Sequence, residues 1–144
     1  MKARCVQSAV PYSQTTLRGY AAEELYDTKL SKDEWYVLYG LWVEDGMLFY
    51  LVQMFDDVYY PLIMPAGCFS EPFGDMPPSF VTTYDPVAKI VIISSPMFRR
   101  SPYFYSELLD ADWDGPLAKE WQDFRHYVDA FEIVQAHDKG RNST

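Results

Sequence analysis

Apolar positions fall in short runs through the first two thirds of the chain, and those runs read as strands. WYVLYGLWVE (35–44) and MLFYLVQM (47–54) flank Asp45-Gly46. An Asp-Gly pair tolerates the positive φ that a two-residue type I′ turn demands, so this stretch predicts a β-hairpin. The turn sets the register: Glu44 faces Met47, Val43 faces Leu48, Trp42 faces Phe49, and Gly40 faces Leu51, leaving space for a neighbouring ring. Both faces carry apolar side chains, so both are expected to be covered at least in part. VYYPLIM (58–64) predicts a third strand after a turn at 55–57, and Pro61, which removes a ladder donor, belongs at an edge or bulge. FVTTY (80–84) and AKIVIIS (88–94) predict a second hairpin around Asp85-Pro86. The β-branched run at 90–93 belongs in a central strand. Residues 65–79, with Pro72, Gly74, Pro77 and Pro78, form a loop long enough either to bind a ligand or simply to cover the sheet.

Past Pro96 the period changes. PYFYSELLD (102–110) predicts a short helix, and Asp114 stands where it can cap a longer one with Pro116 in its first turn. Leu117, Trp121, Phe124, Val128 and Phe131 then recur at steps of four, three, four and three. That is one apolar stripe of an amphipathic helix, and Lys119, Gln122, Asp123, Arg125, Asp129 and Glu132 take the other face. The polar tail HDKGRNST (137–144) is expected to fray. Upstream, AAEELY (21–26) predicts a short helix because its residues are good helix formers, with a turn at 30–33. Strands first and helices afterwards define an α+β protein. The expected architecture is a curved antiparallel sheet of about five strands with a C-terminal amphipathic helix packed on one face. It forms a single domain: an N-terminal segment (1–34), the sheet (35–95), a helical part (102–134) and the tail.

Composition narrows the function classes. The 144 residues are 49% hydrophobic and 17% aromatic, too rich in both for a disordered chain. The net charge of −9 repels phosphate backbones and steers basic partners inward, so nucleic acid is disfavoured as a ligand. No run approaches the ~18 apolar residues of a membrane span, and the N-terminus lacks a signal-peptide core. The two cysteines, Cys5 and Cys68, lie outside any C-x-x-C spacing and read as free thiols in a reducing compartment. A cytoplasmic protein is expected.

The one motif that invites chemistry is LLDADWDG (108–115). Asp110, Asp112, Asp114 and Gly115 match the opening of an EF-hand calcium loop, D-x-[DN]-x-[DN]-G. The twelfth loop position, where a bidentate Glu should close the site, holds Trp121, and Glu120 falls one place early. No metal or cofactor is therefore assigned. What remains is a helix entry with more negative charge than a cap requires. It reads either as a cap with a solvated turn or as a site for a basic partner. His126 has Asp123 and Asp129 one helical turn to either side, which would suit an oriented general base, but a histidine so placed is most often a surface residue. No serine elbow, activated cysteine, zinc spacing or phosphate-cradling glycine loop accompanies it, and the chain is read as non-enzymatic.

Leu30, WYVLYGL (35–41), PAGCF (65–69), PPSF (77–80) and FYSELLD (104–110) follow one another in an order that resembles small acidic bacterial immunity proteins of polymorphic toxin systems. The likeness is one of organisation, spans roughly residues 30 to 130, and carries over no functional residue. It implies a protein that binds a toxin domain and blocks its active or substrate site. Turn acids with aromatic neighbours are then the expected contact residues: Asp56, Asp57, Tyr59, Tyr103, Asp110, Asp112, Trp113 and Asp114. The alternative is a small-ligand or carbohydrate-binding β-module that uses its aromatic side chains as platforms, which requires a concave aromatic pocket.

Overall fold

Asp45 and Gly46 adopt φ of 53° and 73°, the left-handed pair that a type I′ turn needs, and the central hairpin is built on them. The computed structural model describes residues 1–54, 60–100, 103–112 and 114–142, with side chains described as far as residue 136. Its strands are β1 (Lys2–Arg4), β2 (Ala9–Pro11), β3 (Leu25–Asp27), β4 (Trp35–Val37), β5 (Gly40–Glu44), β6 (Met47–Val52), β7 (Leu62–Pro65), β8 (Val81–Asp85) and β9 (Ile90–Ser94). Two helices follow, α1 (Phe104–Asp110) and α2 (Pro116–Asn142). The main sheet is antiparallel in the order β7-β6-β5-β9-β8. The protein is therefore α+β, with a five-stranded antiparallel sheet and a C-terminal helix.

The hairpin register is the one the turn dictates: Glu44 pairs with Met47, Val43 with Leu48, Trp42 with Phe49 and Gly40 with Leu51. The space at Gly40 serves a different neighbour from the ring expected. A Cβ there would lie 2.6 Å from Ser94 Cβ and 2.8 Å from Leu51 Cδ1. Ser94, fully buried, donates its hydroxyl to the Tyr39 carbonyl at 2.6 Å. The β-branched run of β9 is interior, between β5 and β8, while β7, which follows Pro61, takes one edge.

Three expectations are corrected. The 35–44 run is not one strand: it breaks at Leu38 and Tyr39, so that β4 leaves the main sheet and pairs with β1. Residues 21–26 are not a helix. Six residues make fewer than two turns, too few to offset nucleation, and Leu25 and Tyr26 instead pair with Pro11 and Val10 as β3 on β2. The backbone of 137–142 does not fray but continues α2. The 65–79 loop proves to be a cover fastened to β1. Lys2 and Phe73 exchange backbone hydrogen bonds of 2.9 and 2.7 Å, Val6 N–H reaches the Cys68 carbonyl at 2.8 Å, and Ser70 N–H reaches that of Arg4 at 2.9 Å.

The apolar stripe of α2 points inward. Trp121 and Val128 are fully buried, and Leu117, Phe124 and Phe131 partly so. Trp121 meets the rings of Tyr39 (6.4 Å between centroids) and Phe98 (6.3 Å), and Phe124 meets Phe80 (5.7 Å). Tyr39 immediately precedes β5, Phe80 precedes β8 and Phe98 follows β9. The antiparallel register places all three at one end of the sheet, and α2 is anchored there. Among the described residues no helix is long and apolar enough to cross a membrane.

Candidate functional site

The acidic turn joins the two helices. Asp110 ends α1, and Asp112 and Asp114 follow in the connection; all three are exposed. Asp114 is not the cap of α2. The Gly115 carbonyl accepts from Lys119 N–H at 3.0 Å, so Gly115 holds the cap position directly before Pro116. A side chain there would crowd the Asp112 carbonyl, 3.0 Å from a built Cβ, which favours glycine at a site that glycine caps tolerably well. The three aspartates are thus released from capping. No ion pair among the described residues engages them, and no group of three or more His, Cys, Asp or Glu among those residues is placed to hold a metal ion. Tyr103, 71% exposed, and Glu107 stand on the same outer side of α1 as Asp110, at helical spacings of four and three. Asp56, Asp57, Tyr59 and Trp113 lie outside the described residues.

The inner side of α1 turns Phe104 and Tyr105 toward the sheet. Together with Trp42, Ile92, Phe98 and Tyr84 they line a hollow of about 290 Å³. Trp42 makes edge contacts with Phe98 (6.4 Å) and Tyr105 (5.5 Å). The Tyr105 hydroxyl donates to the Pro61 carbonyl at 2.9 Å, and burial pushes its phenol well above the ordinary range. Arg99 sits at this hollow and donates to the Thr82 carbonyl at 3.0 Å. This is a concave aromatic pocket.

A second hollow, of about 350 Å³ and polar, lies where α2 crosses the sheet end. The Tyr39 hydroxyl donates to Asp129 Oδ1 at 2.6 Å. Burial first, and that bond second, hold the Tyr39 proton far above its usual range. Arg125, one turn before Asp129, has its Nε and Nη1 buried with no hydrogen-bond acceptor among the described residues. Leaving a buried charged donor unmet costs on the order of 1–3 kcal/mol. Arg125 and Asp129 were both expected on the solvent face of the helix; they stand instead at its border, half-buried. His126 is exposed on α2, and Asp129 is turned to Tyr39. The two cysteines are free and buried, and burial pushes the Cys68 thiol up to about 11.

Set against known proteins, this α+β arrangement matches no family model, no curated protein and no solved structure.

Proposed function

We propose that the protein is a non-enzymatic, cytoplasmic binding protein that captures a basic protein domain, most plainly a toxin domain whose active or substrate site it blocks. The observation that carries this reading is the exposure of Asp110, Asp112 and Asp114 around one helix connection, released from capping, with the exposed ring of Tyr103 at the other end of α1. Like charges so close together repel, and a basic surface relieves that repulsion while speeding encounter. An exposed tyrosine offers a large, stiff contact at small entropic cost. The exposed His126, with Asp129 committed elsewhere, supports the non-enzymatic part.

The test is co-expression with the product of the neighbouring reading frame, then titration of the purified pair at low and high salt. Wild-type association should slow steeply with salt. Changing Asp110, Asp112 and Asp114 together to Asn should slow low-salt association by about tenfold and flatten the salt dependence. Unchanged affinity and salt slope would remove these acids from the interface.

The aromatic hollow favours a second reading, a small-ligand module, because a flat protein-binding face does not need a 290 Å³ concavity. It predicts a rise in melting temperature with a small apolar aromatic ligand, lost on Trp42→Ala. If no member of a panel of such ligands moves the wild-type melting temperature, that reading fails.

A further inference from the structure

We infer that the polar hollow between α2 and the sheet end is a binding site for a small neutral polyhydroxyl ligand, a sugar ring in the first instance. The inference does not depend on the acidic turn, since none of the described residues lining this hollow belongs to α1 or to the turn after it.

Arg125 projects from α2 into the lining of this hollow. Its Nε and Nη1 are buried and meet no acceptor among the described residues, although they stand beside a polar cavity of about 350 Å³. A guanidinium is charged at every accessible pH, so it cannot escape the cost by losing a proton. An acceptor group in the hollow meets the need. Among the described residues the other charges lining it are Glu34 and Asp129, and they limit what that group can be. A simple anion would satisfy Arg125 but face two carboxylates. A simple cation would satisfy the carboxylates and leave Arg125 as it is. A hydroxyl does both: its oxygen accepts from the guanidinium and its hydrogen goes on to a carboxylate.

The Asp129 carboxylate is held for such a role. Tyr39, 5% exposed, fixes Oδ1 with a 2.6 Å bond and keeps its own proton. Gln53 and Ser31 add two more side chains able both to donate and to accept. The apolar part of the lining combines the rings of Trp35, Tyr36 and Tyr39 with Val37 and Met54. Trp35 is half-exposed, and Tyr36 is fixed by accepting a bond from Ser31 N–H at 2.8 Å. Aromatic surface set beside planar polar side chains suits a ring with hydroxyl edges and C–H faces. The size of the hollow, at the low end of ligand pockets, favours one ring over a chain.

The test is a nuclear magnetic resonance and calorimetric titration of the full chain with glucose, galactose, mannose and N-acetylglucosamine, with glycine and acetate alongside. At least one sugar should bind with a Kd of about 1 mM or tighter and shift the Trp35 indole N–H and Arg125 Nε–H signals. Arg125→Met should weaken that binding by at least about tenfold. It should still fold, because it exchanges an unmet buried cation for an apolar side chain of similar length. Asp129→Asn, which keeps an acceptor for Tyr39, should also weaken it. The Asn variant of the acidic turn should leave it unchanged. The inference is overturned if no sugar shifts either signal, if binding survives Arg125→Met at full strength, or if glycine or acetate binds in preference to every sugar.

Discussion

Raising the pH beyond the thiol and phenol range should unfold the protein from its interior. Tyr39 is 5% exposed, and burial together with its bond to Asp129 holds its proton far above the ordinary value of 10.0. Tyr105 is raised from 10.0 by burial first and by Tyr60 second. Burial lifts Cys68 from 9.0 to about 11. In each case the folded chain keeps a proton that the unfolded chain releases at a lower pH. The stability tied to these groups is complete below the unfolded values and drains as pH climbs above them. Each retained proton costs 2.303RT, about 1.4 kcal/mol, for every pH unit. From 9.0 upward Cys68 loses its advantage together with Cys5, whose thiol burial also raises, and from 10.0 to about 11 the two tyrosines join them, for a slope of at least roughly 4 kcal/mol per unit. The accumulated loss is on the order of 5 kcal/mol, which matches the whole stability of a weakly stable domain of about 5–15 kcal/mol. Urea titrations followed by circular dichroism at a series of pH values measure this slope directly. Tyr39→Phe should lose some stability at neutral pH but lower the alkaline slope by about 1.4 kcal/mol per unit. An alkaline slope identical in wild type, Tyr39→Phe and Tyr105→Phe would refute the assignment.

Three further outcomes follow from the packing. Gly40→Ala places a methyl 2.6 Å from Ser94 Cβ across two strands, and it should cost about 1–3 kcal/mol, read as a lower melting temperature with the same fold by circular dichroism. Trp121→Ala empties the contact between α2 and the rings of Tyr39 and Phe98 and should cost about 3–5 kcal/mol in urea unfolding. Cys5 and Cys68, both buried and both with raised thiols, should resist Ellman's reagent in the native state and react fully in urea.

The parts of the fold that were legible in the sequence are those held by contacts close along the chain. Asp45-Gly46 fixes two φ angles, and from them the pairing of five residue pairs follows without any knowledge of the rest. The stripe from Leu117 to Phe131 is legible for the same reason, since a helix repeats its own geometry. What failed depends on partners far along the chain. Trp35, Tyr36 and Val37 look like a continuation of β5, and only the arrival of β1 draws them into a separate pair. Leu25 and Tyr26 have good helical neighbours, but they follow Val10 and Pro11 into a strand because a backbone partner outweighs a few tenths of a kcal/mol of propensity.

The site residues divide along the same line. The surplus of acid at Asp110, Asp112 and Asp114 could be counted in the sequence, and even its partial explanation as a cap could be tested against the position of Gly115. The hollow around Arg125 could not be read in that way, because it needs Tyr39 and Gln53 from the sheet end and Arg125 and Asp129 from α2. Yet the helix did hold a signal. Arg125 directly follows Phe124 and Asp129 directly follows Val128, so each stands one step from the buried stripe. They are also four residues apart and therefore on one side of the helix. Residues at such a border are where a helix turns polar groups toward a neighbour instead of water. The pairing of Asp129 with His126 considered only the helix; its bond to Tyr39 required the sheet. A charged residue bordering an apolar stripe is therefore better read as a wall of the adjoining interface than as part of the solvent face.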